Sequence, residues 1–230
     1  MKKFGFVMML VTLAACSTTG WAYTFDQVST EFWAGTGGSE AMCILDFGGG
    51  NSYAFGYRWD GDATGWDMLQ AVVAASGSTF TYTPITGTMS SIVAEGGSIR
   101  LEGTQYSFGS IVEKLTYNGH TLVDDYYGTG ESICYWVSGY ADYTEDVYDA
   151  TWTKIGEISH PGDPTGDGTD WFAPPTFGAS GRPLSDGWWD GYTQVNELGN
   201  TYEPAVPMPE PTTLALLGAG AALLIRRRRR

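Results

Sequence analysis

Residues 41–77 of the 230-residue chain read AMCILDFGGGNSYAFGYRWDGDATGWDMLQAVVAASG. The stretch contains two short runs rich in apolar and aromatic residues, 41–47 and 52–59, with a glycine-rich segment between them. Runs of this length, bounded by Gly, Asn and Ser, are typical of β-strands joined by a turn. The first half of the stretch therefore predicts two strands.

The second half of the same stretch changes to a helical pattern. Thr64 precedes an acid, Asp67, by three positions, which resembles a capping box with Asp in place of Glu. The apolar residues that recur at helical spacing are Met68, Leu69, Val72 and Val73. Gly77 is a typical helix terminator. The pattern predicts one helix at residues 64–76 that packs through its apolar side.

The strand pattern continues beyond this stretch. The sequence contains 32 glycines, and aromatic residues make up 14% of it. Asn118-Gly119 lies between two apolar runs and favours a type I′ hairpin turn, because both residues accept positive φ. Further strands are predicted at 78–83, 90–95, 98–102, 110–117, 120–124, 132–139 and 150–156. The expected fold is mainly β: a β-sandwich or sheet-rich single domain with one packed helix.

Composition divides the chain into four segments. We predict a signal peptide at 1–22, a β-rich body at 23–158 and a C-terminal tail at 206–230. The segment between them, 159–205, is rich in Gly, Pro and Asp but also contains Trp and Phe. Because disordered segments are poor in aromatic residues, some packing is expected here: the segment is either an ordered part of the body or a partly flexible linker to the tail.

The N-terminus has the features of an export signal. Two lysines precede the apolar run Phe4–Ala15, and Gly20-Trp21-Ala22 supplies the small residues that a signal peptidase requires. Cleavage after this triplet would make Tyr23 the first mature residue. The segment Leu13–Cys16 also fits a bacterial lipobox, so lipidation of Cys16 is the alternative.

The C-terminus combines a proline-rich spacer, an apolar run and a basic cluster. The uncharged run Thr212–Ile225 would span roughly 21 Å as a helix, whereas the hydrocarbon core of a bilayer is about 30 Å thick. The run is followed by Arg226, Arg227, Arg228, Arg229 and Arg230. Consecutive cations stay on the cytoplasmic side, and their long side chains extend the effective span. The tail therefore predicts a short transmembrane helix with an arginine stop.

The order of these elements resembles the PEP-CTERM sorting signal of exported bacterial proteins, a tail also labelled ice-binding protein C-terminal domain. The matching residues are Val206, Pro207, the triplet Pro209, Glu210 and Pro211, Thr212, the apolar run and the arginines. The resemblance implies cleavage near the triplet by an exosortase, a membrane-embedded cysteine transpeptidase. It also implies transient inner-membrane anchoring and a destination at the cell surface or in the extracellular matrix, often beside exopolysaccharide.

The charge of the body narrows the range of its partners. Residues 23–205 contain five basic and 25 acidic residues, which gives a net charge near −20. A surface of this charge repels nucleic acid and anionic lipid. It suits an extracellular protein that must stay soluble, or one that collects divalent cations.

Two cysteines remain in the body once the signal peptide is removed. Cys43 and Cys134 both lie in apolar, strand-like contexts. An exported pair of cysteines is a disulfide candidate, because the compartment outside the inner membrane is oxidising. The alternative is two buried thiols.

One segment resembles part of a calcium loop. Asp163, Asp167 and Asp170 place oxygen ligands at alternate positions around a glycine, as in the first half of an EF-hand. The pattern departs at its third position, Thr165, and at its twelfth, Pro174, where the EF-hand has a bidentate Glu. The prediction is weak calcium binding, with a plain Gly-Asp turn as the alternative; no other cofactor is expected.

The aromatic pair Trp188 and Trp189, flanked by Asp186 and Asp190, is a candidate sugar-binding platform. Adjacent residues of a strand point to opposite faces, so one of the two indoles is expected in the core.

Catalytic patterns are scarce in the sequence. It contains no Gly-x-Ser-x-Gly elbow, phosphate loop or zinc motif. We expect His120 and His160 to be exposed loop residues, and the carboxylate pair Asp124-Asp125 to be a weak candidate for glycosidic hydrolysis. The sequence thus favours a non-enzymatic surface or matrix protein with a structural or adhesive body. The alternatives are a carbohydrate-binding module and a secreted carboxylate-dependent hydrolase.

Overall fold

A computed structural model describes residues 23–107, 109–125, 131–148, 153–163, 166–173, 179–195 and 202–208. The strands are β1 (Thr30–Gly35), β2 (Ser39–Asp46), β3 (Ser52–Trp59), β4 (Thr79–Thr86), β5 (Met89–Glu95), β6 (Ile99–Tyr106), β7 (Gly109–Tyr117), β8 (His120–Val123), β9 (Ser132–Ser138), β10 (Tyr143–Tyr148), β11 (Lys154–His160) and β12 (Trp189–Val195). The helix α1 covers Gly65–Ala75, and short 3-10 turns cover Phe25–Gln27 and Ala179–Gly181. The prediction of a mainly β fold with one packed helix is confirmed.

The first sheet has the strand order β1-β3-β2-β12-β9. β1 runs parallel to β3 and β12 runs parallel to β2, whereas β2 pairs antiparallel with β3, and β12 with β9. Strand β2 lies at the centre, and its residues Ala41–Asp46 are all buried. β12 comes from the Gly- and Pro-rich segment, so part of that segment is an inner strand of the sheet.

The second sheet is an antiparallel meander with the order β4-β5-β6-β7-β8. Asn118 and Gly119 connect β7 to β8 with φ values of 49° and 81°, which confirms the predicted hairpin turn. β10 and β11 form a separate antiparallel pair. β11 begins at Lys154, four residues after the predicted start at residue 150.

Helix α1 begins as its sequence predicts. Thr64 Oγ1 accepts a hydrogen bond from the Asp67 amide at 3.2 Å, and Asp67 Oδ2 accepts one from the Thr64 amide at 2.8 Å. This is a reciprocal capping box. The helix ends before Gly77, whose φ of 94° is easily adopted only by glycine.

One hydrophobic core joins the helix to both sheets. Its buried members include Cys43, Leu45 and Phe55 from the first sheet, Met68, Leu69, Val72 and Val73 from α1, and Ile92, Ile99, Leu101 and Leu115 from the second sheet. Burial of apolar surface of this extent is the main stabilising term of the fold.

The opposite side of the first sheet carries a smaller apolar cluster, which we call the terminal face. Its buried members are Val28, Met42, Ile44, Ala54 and Trp189. Side chains from the two ends of the body pack on it, and they include Tyr23, Phe25 and Val206. The ends of the body therefore cover what would otherwise be an exposed apolar sheet face.

A buried ion pair lies between α1 and the first sheet. The Arg182 and Asp190 side chains are 1% and 0% exposed, and Arg182 Nη1 pairs with Asp190 Oδ1. Tyr135 donates its hydroxyl to Asp190 Oδ2 at 2.7 Å, and Arg182 Nη1 also donates to the Trp189 carbonyl at 3.2 Å. Charges this deeply buried need such partners, because desolvation is otherwise very costly.

The predicted disulfide between Cys43 and Cys134 is wrong for this fold, because both thiols are free. Cys43 lies on β2 opposite Asp190, and Cys134 lies on β9 opposite Thr193, with β12 between them. Strands two apart are separated by about 9.5 Å, which exceeds the Cα separation that a disulfide allows. Asp190 and Thr193 also point to opposite faces of the sheet, so the two thiols do as well.

The two processing segments lie outside the described residues. These are the predicted signal peptide, 1–22, with the lipobox alternative, and the tail residues 209–230. Within the described part of the chain, no helix has the length and apolar character that a membrane crossing requires.

Candidate functional site

The chain is held to the body where the predicted C-terminal tail begins. We call Pro204–Pro207 the clasp. The Ala205 amide donates to Asp46 Oδ2 at 2.8 Å, Ser52 donates its hydroxyl to the Ala205 carbonyl, and the Ser29 amide donates to the Pro207 carbonyl at 2.9 Å. The clasp is thus fixed by the ends of β2 and β3 and by the segment before β1.

The apolar residues of the clasp pack on the terminal face. Val206 packs against its buried cluster, and Pro204 is buried over Gly191 of β12. A Cβ atom at Gly191 would lie 2.3 Å from Pro204 Cγ, so a glycine is needed for this approach. Met208, the next residue after the clasp, is 44% exposed.

Asp46 is the central polar residue of this arrangement. Its side chain is buried, and both carboxylate oxygens are used: Oδ1 accepts from the Gly48 amide at 2.9 Å, while Oδ2 holds Ala205. A carboxylate that accepts two backbone N–H groups makes stronger hydrogen bonds than a neutral acceptor would. One side chain therefore links the β2–β3 turn to the clasp.

The predicted mature N-terminus lies on the same terminal face. The Tyr23 amide donates to the Asp167 carbonyl at 2.8 Å. Phe25 packs edge-to-face against Trp189, with ring centroids 5.0 Å apart. The Ser29–Pro207 hydrogen bond joins the two ends directly. Both predicted processing junctions are therefore next to segments anchored on one side of the first sheet.

A cleft of about 300 Å³ opens beside this N-terminal segment. Its lining residues are Tyr23, Thr24, Phe25, Glu40, Gly166, Asp186, Gly187 and Trp189. Two carboxylates and two partly buried aromatic side chains thus share one concave surface. Such a surface offers hydrogen-bond acceptors beside apolar rings.

Each of the two carboxylates of the cleft accepts a hydrogen bond from the body. Glu40 Oε1 accepts from Arg58 Nε at 2.9 Å, and Asp186 Oδ1 accepts from the Glu40 amide at 2.8 Å. The Arg58 guanidinium also lies 4.4 Å from the Trp33 ring centroid, a cation–π contact. The arrangement positions Glu40 next to Asp186, with Arg58 as the ion-pair partner of Glu40.

The predicted tryptophan platform is not formed. Trp188 is 5% exposed and Trp189 is 0% exposed. The Arg182 guanidinium lies 5.1 Å from the Trp188 ring centroid, and Trp189 is buried in the terminal face. Neither indole presents an open ring to a sugar. The sequence predicted that one of the two would lie in the core, and in the structure both are buried.

The calcium prediction gains no support from the described residues. Asp167 Oδ1 accepts hydrogen bonds from the Thr169 amide at 2.9 Å and the Thr169 hydroxyl at 2.6 Å. Burial raises the pKa of Asp167, but these hydrogen bonds outweigh it and the pKa lies below its ordinary value. Asp163 meets Tyr140 in an isolated β-bridge. Within the described ranges no three His, Cys, Asp or Glu residues, Asp170 included, are grouped as metal ligands.

The other residues that the sequence suggested for catalysis are His120, His160 and the pair Asp124-Asp125. His120 is not an exposed loop residue: it is half-buried, with its ring 5.8 Å from that of Phe47. The His160 side chain lies outside the described residues. Asp124 Oδ1 accepts from the Ser132 hydroxyl at 3.0 Å, whereas its neighbour Asp125 is exposed and joined through its backbone to Glu131.

Sequence reasoning missed the residues that build the clasp and the cleft. Asp46 is one of 26 acidic residues, and no local pattern distinguishes it. Glu40 and Asp186 are 146 positions apart and meet because β12 pairs with β2. The one available signal was the Gly-Gly-Gly turn after Asp46, which predicts a carboxylate near free backbone amides.

Comparison with known proteins identifies the tail alone. Residues 209–230 match the family model of the PEP-CTERM protein-sorting motif, as the sequence resemblance indicated. The chain has no match among curated proteins or among solved structures. The motif indicates an exported, extracellular protein that an exosortase recognises and processes.

Proposed function

We propose that this exosortase substrate is a surface or extracellular-matrix protein whose β-rich body has a structural or adhesive role and no enzymatic one. The short apolar tail would anchor the precursor in the inner membrane until the exosortase cuts near Pro209–Pro211. The body would then be left at the cell surface or in the matrix.

The position of the clasp carries this proposal. The sorting motif begins at residue 209, two residues after Pro207. The hydrogen bonds of the clasp join it to Ser29, Asp46 and Ser52 of the body. Removal of residues 209–230 would leave the two partners of each of these hydrogen bonds in place, as expected for a motif that directs the protein and is then discarded.

The buried polar groups also support a non-enzymatic body. Arg182 and Tyr135 both pair with Asp190 beneath α1, and Asp46 accepts a hydrogen bond from the clasp. These side chains stabilise the fold and are not open to a substrate. A strongly acidic surface over such a body favours solubility outside the cell.

Deletion of the motif tests the proposal. We expect the full chain to reach the surface or the medium in a shortened form, and a variant without residues 209–230 to accumulate elsewhere. Immunoblots of cytoplasmic, membrane, surface and medium fractions give the readout. Asp62→Asn, at an exposed position of the body, is the matched control. An unchanged distribution of the deletion variant would contradict the proposal.

The cleft favours carbohydrate binding as a second candidate function. Its carboxylates accept hydrogen bonds and suit a ligand rich in hydroxyl donors, while Tyr23 and Phe25 supply apolar rings. The acidic body disfavours anionic polysaccharides, so the proposed ligand is a neutral glycan. In this proposal the glycan contacts Tyr23, Glu40 and Asp186 in place of the two buried tryptophans.

Neutral oligosaccharides on a glycan array test the second candidate. The double variant Glu40→Gln and Asp186→Asn should reduce binding about tenfold or more, because charged acceptors are replaced by weaker neutral ones. Asp62→Asn should bind as the unaltered protein does. Binding that survives both cleft substitutions would exclude this site. Cleavage of the glycan during the incubation would support the hydrolase alternative instead.

A further inference from the structure

The clasp keeps the sorting motif close to the folded body. Five residue steps separate Pro207, the last clasp residue, from Thr212, the first residue of the apolar run. An extended chain covers at most about 18 Å in that distance. While the clasp is closed and the apolar run is in the membrane, the terminal face must therefore lie near the membrane surface.

A membrane-embedded protease needs room on both sides of the bond that it cuts. Opening the clasp frees its four residues, Pro204–Pro207, which add about 14 Å of extended chain. The closed clasp thus shortens the reach of the substrate segment from about 32 Å to about 18 Å. It also places a bulky acidic body directly beside the cut site.

We infer that the clasp controls access of the exosortase to the sorting motif: the enzyme cuts the precursor when the clasp is open, and the closed clasp protects it. The inference rests on the proposed sorting function. The contacts of the clasp suit a reversible latch, because they comprise three hydrogen bonds and two small apolar side chains. After the cut, the same contacts hold the new C-terminus against the body.

Two substitutions weaken the clasp through different contacts. Asp46→Asn keeps the shape and one oxygen acceptor but removes the charge that holds the Ala205 amide. Gly191→Ala places a Cβ atom 2.3 Å from Pro204 Cγ and forces that proline outward. Their matched controls are Asp62→Asn, at an exposed position, and Gly156→Ala, where no atom lies within 4 Å of the added Cβ.

A pulse-chase experiment on the full precursor, in cells that contain the exosortase, measures the rate of tail removal. We expect both clasp variants to be processed about tenfold faster than the unaltered precursor, which is the scale of one lost charge-assisted hydrogen bond. The two controls should match the unaltered precursor. Equal rates for all five proteins would overturn the inference.

An inserted linker distinguishes two reasons why Asp46→Asn could speed processing: an open clasp or an unfolded body. Ten Gly/Ser residues inserted between Met208 and Pro209 restore the reach of the motif while the clasp stays closed. Processing should then be fast, and Asp46→Asn should add nothing to it. If Asp46→Asn speeds processing of the linker variant as much as it speeds processing of the precursor without a linker, the substitution acts by unfolding the body. That result would also overturn the inference. Alanines at Pro209–Pro211 should stop processing in every background; continued processing there would overturn the sorting function itself.

Discussion

Two tyrosines beneath α1 have opposite hydrogen-bonding states. Tyr135 donates to Asp190 Oδ2 at 2.7 Å. The Tyr192 hydroxyl is buried without a hydrogen-bond partner in the described part of the chain. Both belong to the first sheet, on β9 and β12, where they face each other at 5.3 Å between ring centroids. They therefore form a matched pair in which only one hydroxyl stabilises the fold.

Replacement of each tyrosine by phenylalanine measures this difference. Tyr135→Phe should lower the free energy of unfolding by about 1.5–3 kcal/mol, the usual contribution of a hydrogen bond to a charged group. Tyr192→Phe should leave it unchanged or raise it, because an unsatisfied hydroxyl is removed from the core. Urea unfolding with unchanged m values gives both numbers. Equal losses for the two variants would show that the assignment of partners is wrong.

Cys43 makes the stability of the fold depend on pH in the alkaline range. Burial raises the pKa of its thiol to about 12. The folded state therefore holds the thiol proton more tightly than the unfolded chain does. This contribution to stability is complete below the ordinary thiol pKa and is lost as the pH rises towards 12.

Urea unfolding at pH 8, 9, 10 and 11 tests this effect. The Cys43 thiol should account for a loss of about 2–3 kcal/mol between pH 9 and 11, at 1.36 kcal/mol per pH unit for one group. Cys43→Ala is the comparison, since it removes this thiol and retains every other ionisable group. The free energy of unfolding of the variant should fall less steeply with pH. Identical slopes would show that this thiol is not protonated more strongly in the folded state.

Helix α1 is the element that the sequence specifies most completely. The cap, the apolar spacing and the terminating glycine are all local, and each is present in the structure. The hairpin at Asn118-Gly119 is similar, because two residues with accessible positive φ determine the turn. Local signals of this kind can be predicted from sequence alone.

The cap of α1 can be tested by two substitutions at Thr64. Thr64→Ala should reduce the free energy of unfolding by about 1 kcal/mol, because the Asp67 amide loses its acceptor. Thr64→Ser keeps the hydroxyl and should have little effect. Thr79→Ala, at an exposed position of β4, controls for the loss of a threonine. Urea midpoints report all three, and an Ala variant as stable as the Ser variant would refute the cap.

Strand β12 was not predicted from the sequence, and its residues show why. Its sequence contains Asp190 and Gly191, residues that mark turns in isolation. Asp190 is instead held by Arg182, and Gly191 allows the approach of Pro204. These reasons depend on partners that are distant in sequence. A pattern search over neighbouring residues cannot detect them.

At the scale of the whole molecule, the two ends of the body complete one sheet face. Phe25 and Val206 both pack on the cluster around Trp189. The sequence predicted export, sorting and the mainly β class, because those signals are contiguous. It did not predict that the segments next to the two predicted processing junctions meet, since Ser29 and Pro207 are brought together only by the order of strands in the first sheet.

The central claim is that the chain is an exported precursor trimmed at both ends to leave the β-rich body. The intact mass of the protein recovered from the cell surface or the medium tests it most directly. We expect a chain that starts at Tyr23 and ends within residues 209–212, close to the clasp. A lipidated start at Cys16 would correct the N-terminal half of the claim. A recovered protein that retains residues 213–230 would contradict the account.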